Sequence, residues 1–300
     1  MNRSPLRAAL VDAFTRTPGQ GNRAGVVMGA DSLDEATLRA AARAVAASET
    51  AFHLTPPAGA DVRLRYFTPA TEVDFCGHAT VATFHWLCET GALAAPGAYR
   101  LETAAGRLEV ELESLDHGCR VWIATPRAPW LESPIEMREM MRLFGGAPRM
   151  LDPTLPIMRS GPKIFVPIGR REDLWALSPR WDDLAAAGLA HEVRGFLAFT
   201  RNASEPAHVA QSRFFAPATG IREDPVTGAA NGPLAEYLAL HRVLVLPEVG
   251  GTIRARAEQG DLMGKPGRVD LEVTGAPGKI ERARIGGVAV TVFDGNLLPG

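Results

Sequence analysis

Apolar positions in the first third of the chain recur mostly at the spacing of a strand, interrupted by one stretch at helical spacing. Arg7 to Asp12 reads as a strand, with Ala8, Leu10 and Val11 apolar. The loop Thr17-Pro18-Gly19-Gln20-Gly21-Asn22 breaks it, and Ala24 to Met28 is a second short strand. Asp31-Ser32 offers an N-cap, and Leu33, Leu38, Ala41 and Val45 carry the helical period. The pattern therefore predicts a helix over Leu33 to Ala47, ended by Ser48-Glu49-Thr50. Ala51 to Leu54 and the alternating Val62 to Phe67 are strands. Ala79 to Glu89 is apolar on every side, the mark of a buried helix. Leu101 to Ala105, Leu108 to Leu112 and Cys119 to Ile123 continue as strands, and the Pro-rich Pro126 to Pro134 reads as a crossover.

The second half follows a similar order. Lys163 to Pro167 is a strand, a short helical or loop region begins near Leu174, and Trp181 to Ala187 is a helix. Gly195 to Thr200 and Ala207 to Phe215 are strands, and Asn231 to His241 is helical through Leu234, Tyr237, Leu238 and Leu240. The tail is strand-rich: Gly251 to Ala257, Val269 to Val273, Ile280 to Ile285 and Val288 to Phe293.

An internal repeat underlies that order. Phe67-Thr68-Pro69-Ala70-Thr71 matches Phe215-Ala216-Pro217-Ala218-Thr219. Each copy leads into small residues that open an apolar helix, Gly77-His78-Ala79 in one and Gly228-Ala229-Ala230 in the other. Self-similarity at this period predicts two equivalent domains, each wrapping strands around one buried helix.

The charge balance, 32 basic against 34 acidic residues, removes the basic excess that a nucleic-acid partner would need. The pair Arg170-Arg171 reads as solvated loop charge. No apolar run has the length of a membrane span, and Met1 to Leu10 lacks a signal-type apolar stretch, so a cytoplasmic location is expected. Cys76, Cys88 and Cys119 are too scattered for a disulfide framework. The seven histidines form no metal-binding motif, and no metal is expected.

Candidate chemistry lies at the two glycine-led helix starts. The first N–H groups of a helix have no partner within it and sit at its positive end. Glycine lets a ligand approach them, so such starts can hold a carboxylate or an enolate-like anion. Simple capped core helices would carry the same residues. Glu49 lies among Val45, Ala46, Ala47, Thr50, Ala51 and Phe52. Desolvation there would favour its protonated form and suit it to acid–base work, although a glutamate after a helix is ordinarily a surface charge. His78 beside Gly77 reads as a cap residue or a catalyst. Asp224 before Pro225 reads as a turn residue or a cap for the Gly228 helix. Cys76 reads as a buried small residue or a reactive thiol. The pair Glu111 and Glu113 looks like a solvent face, and Gly19-Gln20-Gly21 lacks the third glycine and helix of a dinucleotide fingerprint.

Taken together, seven segments resemble the PhzF-like family of the diaminopimelate epimerase fold. They are Val11-Asp12-Ala13-Phe14-Thr15, Gly21-Asn22-Arg23-Ala24-Gly25-Val26-Val27, Ser48-Glu49-Thr50-Ala51-Phe52, Phe67-Thr68-Pro69, Cys76-Gly77-His78-Ala79-Thr80, Glu223-Asp224-Pro225-Val226-Thr227-Gly228 with Ala230-Asn231-Gly232, and Gly286-Gly287-Val288-Ala289-Val290. The resemblance implies an α+β fold of two pseudo-symmetric domains, each a β-barrel-like sheet around a central helix. It places the domains at 1–126 with 285–300 and at 127–284, with a site in the cleft between them. It further implies a homodimer, no cofactor and a small carboxylated substrate. The catalytic residues it implies are Glu49, His78 and Asp224, with Glu49 shuttling a proton between carbons as in isomerisation of trans-2,3-dihydro-3-hydroxyanthranilate. Asn22, Cys76, Gly77, Thr227, Gly228 and Ala229 fall at substrate-binding positions. Two departures stand out. Ala229 replaces a serine common in the family, which removes a hydroxyl. Cys76 pairs by the repeat with Thr227, so the two-thiol arrangement of related epimerases is absent. An epimerase using Cys76 and a non-catalytic binding protein are the alternatives.

Overall fold

The computed structural model describes residues 5–298. The chain forms two compact units, Met1–Ala124 with Ile285–Gly300, and Thr125–Arg284. In the first, the strand Leu6–Ala13 runs antiparallel to Asn22–Val27 on one side and to Ala289–Leu297 on the other. Asn22–Val27 continues in parallel to Glu49–Leu54, which pairs antiparallel with Val62–Phe67. Val62–Phe67 lies parallel to Gly97–Thr103, followed antiparallel by Gly106–Ser114 and Cys119–Ala124. Helix α1 (Glu35–Val45) covers the outside with an apolar face of Leu38, Ala41 and Ala42.

Helix α2 (Gly77–Glu89) is the centre of this unit. Every residue from Gly77 to Leu87 is buried, as an all-round apolar helix requires. It packs on Leu6–Ala13, Asn22–Val27, Cys119–Ala124 and Ala289–Leu297. One helix can touch strands at distant places in the strand order only if the sheet curls around it. The Trp86 indole nitrogen donates to Asp294 at 3.2 Å and fastens the helix to the closing strand.

The second unit repeats the plan with additions. Lys163–Pro167 is parallel to Gly195–Thr200, which pairs antiparallel with Ala210–Ala216. Ala210–Ala216 lies parallel to Gly251–Gln259, which pairs antiparallel with Gly267–Ala276. Helices α3 (Met137–Leu143), α4 (Arg171–Ala176) and α5 (Trp181–Ala190) build one core with Phe144, Phe196 and Phe215. Helix α6 (Gly228–Leu240) is the buried one, and its Tyr237 lies among Trp130, Phe165 and Phe199.

The duplication extends beyond the Phe-x-Pro-Ala-Thr motif to an ion pair in each copy. Arg65 donates twice to Glu72, at 2.7 and 2.6 Å, with its guanidinium 5.1 Å from the Phe67 ring. Arg213 donates twice to Glu223, both at 2.9 Å, 4.9 Å from the Phe215 ring. Each pair ties the strand before the motif to the short strand after it, and so sets the approach to α2 or α6.

Several expected boundaries move. Helix α1 begins at Glu35, because Asp34 and not Asp31-Ser32 accepts the Thr37 N–H, at 2.8 Å. Asp31 instead accepts from Thr55 N–H, at 2.8 Å. The helix stops at Val45, because Ala46 turns left-handed with φ 56°. Ser48-Glu49-Thr50 is therefore not a helix end: Glu49 opens the next strand, in parallel register with Ala24. Helix α3 lies just past the Pro-rich segment, where no helix is expected from the pattern.

Candidate active site

The first unit gathers Asn22, Ser48, Glu49, Cys76 and His78 at the start of α2. Strand pairing does most of this: Asn22 and Glu49 each begin a strand, and the two strands are neighbours. His78, the second residue of α2, stands over both. Its Nε2 lies 3.3 Å from Glu49 Oε2, with the two side chains 6% and 12% exposed. Both side chains are therefore largely buried. His78 Nδ1 meets Asn22 Nδ2 at 3.3 Å, and the Ser48 hydroxyl lies 3.2 Å from Nε2. Ser48 also donates to the Arg23 carbonyl at 3.1 Å. The imidazole is thus gripped on both nitrogens, which restricts its orientation and tautomer.

Cys76 is the N-cap residue of α2 and is buried. Its Sγ lies 3.4 Å from His78 Nδ1 and 3.9 Å from Nε2. Thr80 Oγ1 donates to the Cys76 carbonyl at 2.8 Å and meets the Tyr66 hydroxyl at 2.6 Å, which holds the turn into the helix. Burial pushes the Tyr66 phenol upward, so it stays protonated. The N–H groups of Gly77, His78 and Ala79 precede the first helical bond, Thr80 N–H to Cys76 O, and have no carbonyl within the helix to meet.

The second unit has its own cluster at the start of α6. Thr227 is the N-cap residue, its hydroxyl donates to Asp224 Oδ2, and the Asn231 amide donates to the Thr227 carbonyl at 3.0 Å. Gly228 is buried and Ala229 half-buried. Ala229 takes the second position of α6, as His78 does in α2, so this helix start carries no ring. Gln259, from the end of Gly251–Gln259, bonds to Asp224, Thr227 and Asn231. Neither Ser48 nor Gln259 stands out in the sequence: Ser48 is marked only by its place beside Glu49, and Gln259 by nothing local.

Two groups of three potential metal ligands occur among the described residues, Glu49 with Cys76 and His78, and Glu205 with His208 and Glu258. In the first, His78 Nε2 lies 3.3 Å from Glu49 and 3.9 Å from the Cys76 thiol. In the second, Glu258 and Glu205 face opposite ring nitrogens, at 2.9 and 3.4 Å. In each set the donor atoms lie within 4.8 Å of one another, and each has three protein donors, one short of a closed tetrahedral site. The second group serves as a clamp. Buried Glu258 accepts Ser204 N–H and Glu205 N–H at 2.9 and 2.7 Å and the Gln211 amide at 2.9 Å. Burial raises its carboxyl, but these N–H bonds, His208 and Arg268 outweigh it and hold it below the ordinary value.

Comparison with known proteins supplies what geometry alone does not. Residues 11–295 match the model of the PhzC-PhzF family, described as phenazine biosynthesis-like protein. An uncharacterized isomerase, YddE, of Escherichia coli O157:H7 is 36% identical over 94% of this chain and 95% of its own. The trans-2,3-dihydro-3-hydroxyanthranilate isomerase of Pseudomonas fluorescens is 31% identical over 96% of this chain and 98% of its own. The crystal structure of the Bacillus anthracis PhzF-family phenazine biosynthesis protein superposes with a TM-score of 0.89 at 28% identity, covering 99% of this chain and 100% of that one.

Proposed function

Because the chain belongs to the PhzC-PhzF family of phenazine biosynthesis-like proteins, we propose that it is a proton-shifting isomerase with Glu49 as its acid–base group. The observation that carries this reading is the Glu49–His78 contact of 3.3 Å at the buried head of α2. The reaction balances without an external reagent. Glu49 takes a proton from one carbon of an unsaturated substrate, the electron pair moves along the double bond, and protonated Glu49 returns the proton to a different carbon. His78 holds Glu49 in place, and Asn22 and Ser48 hold His78. The negative charge that develops meets the unpaired N–H groups around Gly77. In the second unit the start of α6 is a further anion-binding position, with the Gly228 N–H as donor, Asp224 orienting the Thr227 hydroxyl, and no hydroxyl at Ala229. The substrate class is a small carboxylated molecule of the kind named for the Pseudomonas relative. Assembly as a homodimer, and turnover with no added cofactor, belong to the same proposal.

The test is incubation of the protein with trans-2,3-dihydro-3-hydroxyanthranilate and a panel of small unsaturated carboxylates in D2O, followed by NMR. Wild type incorporates deuterium, and Glu49→Gln slows incorporation by about 10²–10⁴-fold. Equal rates for the two proteins would refute the role of Glu49. One observation favours a second reading, the Cys76 thiol 3.4 Å from the His78 ring. Loss of exchange in Cys76→Ser with exchange kept in Glu49→Gln would move the base to the thiol.

A further inference from the structure

Gln259 is fully buried, and its amide is fully used at the start of α6. A glutamine amide has two donor and two acceptor positions. Nε2 donates to the Asp224 carbonyl at 2.9 Å and to Thr227 Oγ1 at 3.2 Å. Oε1 accepts from Thr227 N–H at 3.1 Å and from Asn231 Nδ2 at 3.0 Å. With Nε2 supplying a proton to Thr227 Oγ1, the threonine hydroxyl turns its own proton to the Asp224 carboxylate. One side chain therefore fixes both ends of the turn from Asp224 to Gly228. Asn231, locked in the same network, is left with a buried Oδ1 that has no partner. An unmet buried acceptor is costly, and packing alone gives no reason to keep it.

The internal repeat supplies the control. With Phe67 set against Phe215, Val62 corresponds to Ala210. Val62 pairs with Leu101 and Ala210 with Ala257, so Thr103 occupies the place of Gln259. Thr103 does not reach α2: its hydroxyl donates to the Gly106 carbonyl at 2.8 Å. The start of α2 is held instead by its own Thr80, backed by Tyr66 of the strand Val62–Phe67. The fold can thus seat a buried helix without a long amide at this strand end.

We propose that Gln259 is a positioning residue, which fixes Thr227 against Asp224 and so holds the Gly228 N–H in the geometry that receives a small ligand's carboxylate. The inference rests on the reading of the α6 start, Thr227 and Gly228, as an anion-binding position. The experiment uses the full chain and two substitutions. Gln259→Leu removes all four bonds. Gln259→Glu keeps the acceptor toward Thr227 N–H and Asn231 and removes at least one of the two donors. Anthranilate serves as the carboxylate probe, and the Gly228 amide signal is followed by ¹⁵N–¹H NMR alongside steady-state kinetics on trans-2,3-dihydro-3-hydroxyanthranilate.

In wild type the Gly228 signal shifts and saturates. In Gln259→Glu the melting temperature stays within a few degrees, the Kd for anthranilate rises at least tenfold, and KM rises while kcat stays within threefold. Thr103→Ala leaves Kd where it was. A folded Gln259 variant that binds anthranilate as tightly as wild type overturns the proposal, as does a fall in kcat with KM unchanged. If Gln259→Leu does not fold, Gln259→Glu decides. A wild-type Gly228 signal that ignores anthranilate removes the carboxylate site and this proposal with it. Equal deuterium exchange by Glu49→Gln and wild type, in contrast, removes only the acid–base assignment.

Discussion

The Glu258 clamp allows a perturbation whose size can be worked out in advance. Oε1 accepts from Glu205 N–H and His208, and Oε2 from Ser204 N–H and Gln211. In Glu258→Gln, an NH2 placed at Oε2 faces two donors, Ser204 N–H and the Gln211 amide, and one placed at Oε1 faces the Glu205 N–H and forces His208 to change tautomer. Two bonds to a charged group are lost, each contributing about 1.5–3 kcal/mol. The loop carrying Ser204 and Glu205 is at the surface and can relax, so roughly 2–4 kcal/mol remains. An unfolding entropy of about 2.1 cal/mol/K per residue over the 300 residues converts this to a fall of about 3–6 °C in Tm. The pH dependence has a definite sign. The folded carboxyl titrates below its ordinary value, so its stabilisation is present above about pH 4.5 and fades as pH falls toward the folded value. Calorimetry of wild type and Glu258→Gln at pH 7 and pH 4 checks both points. The gap in Tm should shrink at pH 4. A gap under 1 °C at pH 7, or one that widens in acid, would refute the reasoning.

Two further outcomes follow from packing and charge. A Cβ at Gly232 would fall 2.3 Å from Thr125 Cγ2, so Gly232→Ala should lower stability by about 1–3 kcal/mol in denaturant titration. Thr125 Cβ would itself lie 2.7 Å away, so adding Thr125→Ala should recover only part of that loss, and a Gly232→Ala variant as stable as wild type would argue against the clash. The repeated ion pairs should differ in weight. Arg213 is 11% exposed and also donates to the Leu174 and Leu177 carbonyls, whereas Arg65 is 27% exposed. Arg213→Met is expected to cost about 3–5 kcal/mol and Arg65→Met about half as much, and equal midpoints in urea would contradict this.

The match between pattern and structure depends on what each element buries. Val62–Phe67, Lys163–Pro167 and Gly195–Thr200 coincide with their expected limits, because each is an apolar or alternating run between clear breakers. Helix α1 was harder to delimit: two aspartates compete to cap it, and only the tertiary bond from Thr55 to Asp31 decides between them. Helix α3 is seven residues long, and its Met140, Met141 and Leu143 face a core that the sequence alone does not reveal. At the site, Glu49 and His78 lie 29 positions apart and meet through strand register and the direction of α2, while the family motif already marks both. Ser48 and Gln259 act through contacts that a sequence read without register does not announce.

The strand Leu6–Ala13 lies between Asn22–Val27 and Ala289–Leu297. During synthesis this ordering has a cost in time. Leu6–Ala13 must wait for Ala289–Leu297, made about 280 residues later, before its second edge is covered. The unit formed by Thr125–Arg284 is complete in the nascent chain while the other still shows an open sheet edge. Open edges invite pairing with neighbouring chains. The half that carries Glu49 is therefore the half that a stalled or truncated polypeptide cannot finish, and a product that ended before Ala289–Leu297 would leave the strand Leu6–Ala13 uncovered while the other unit folds.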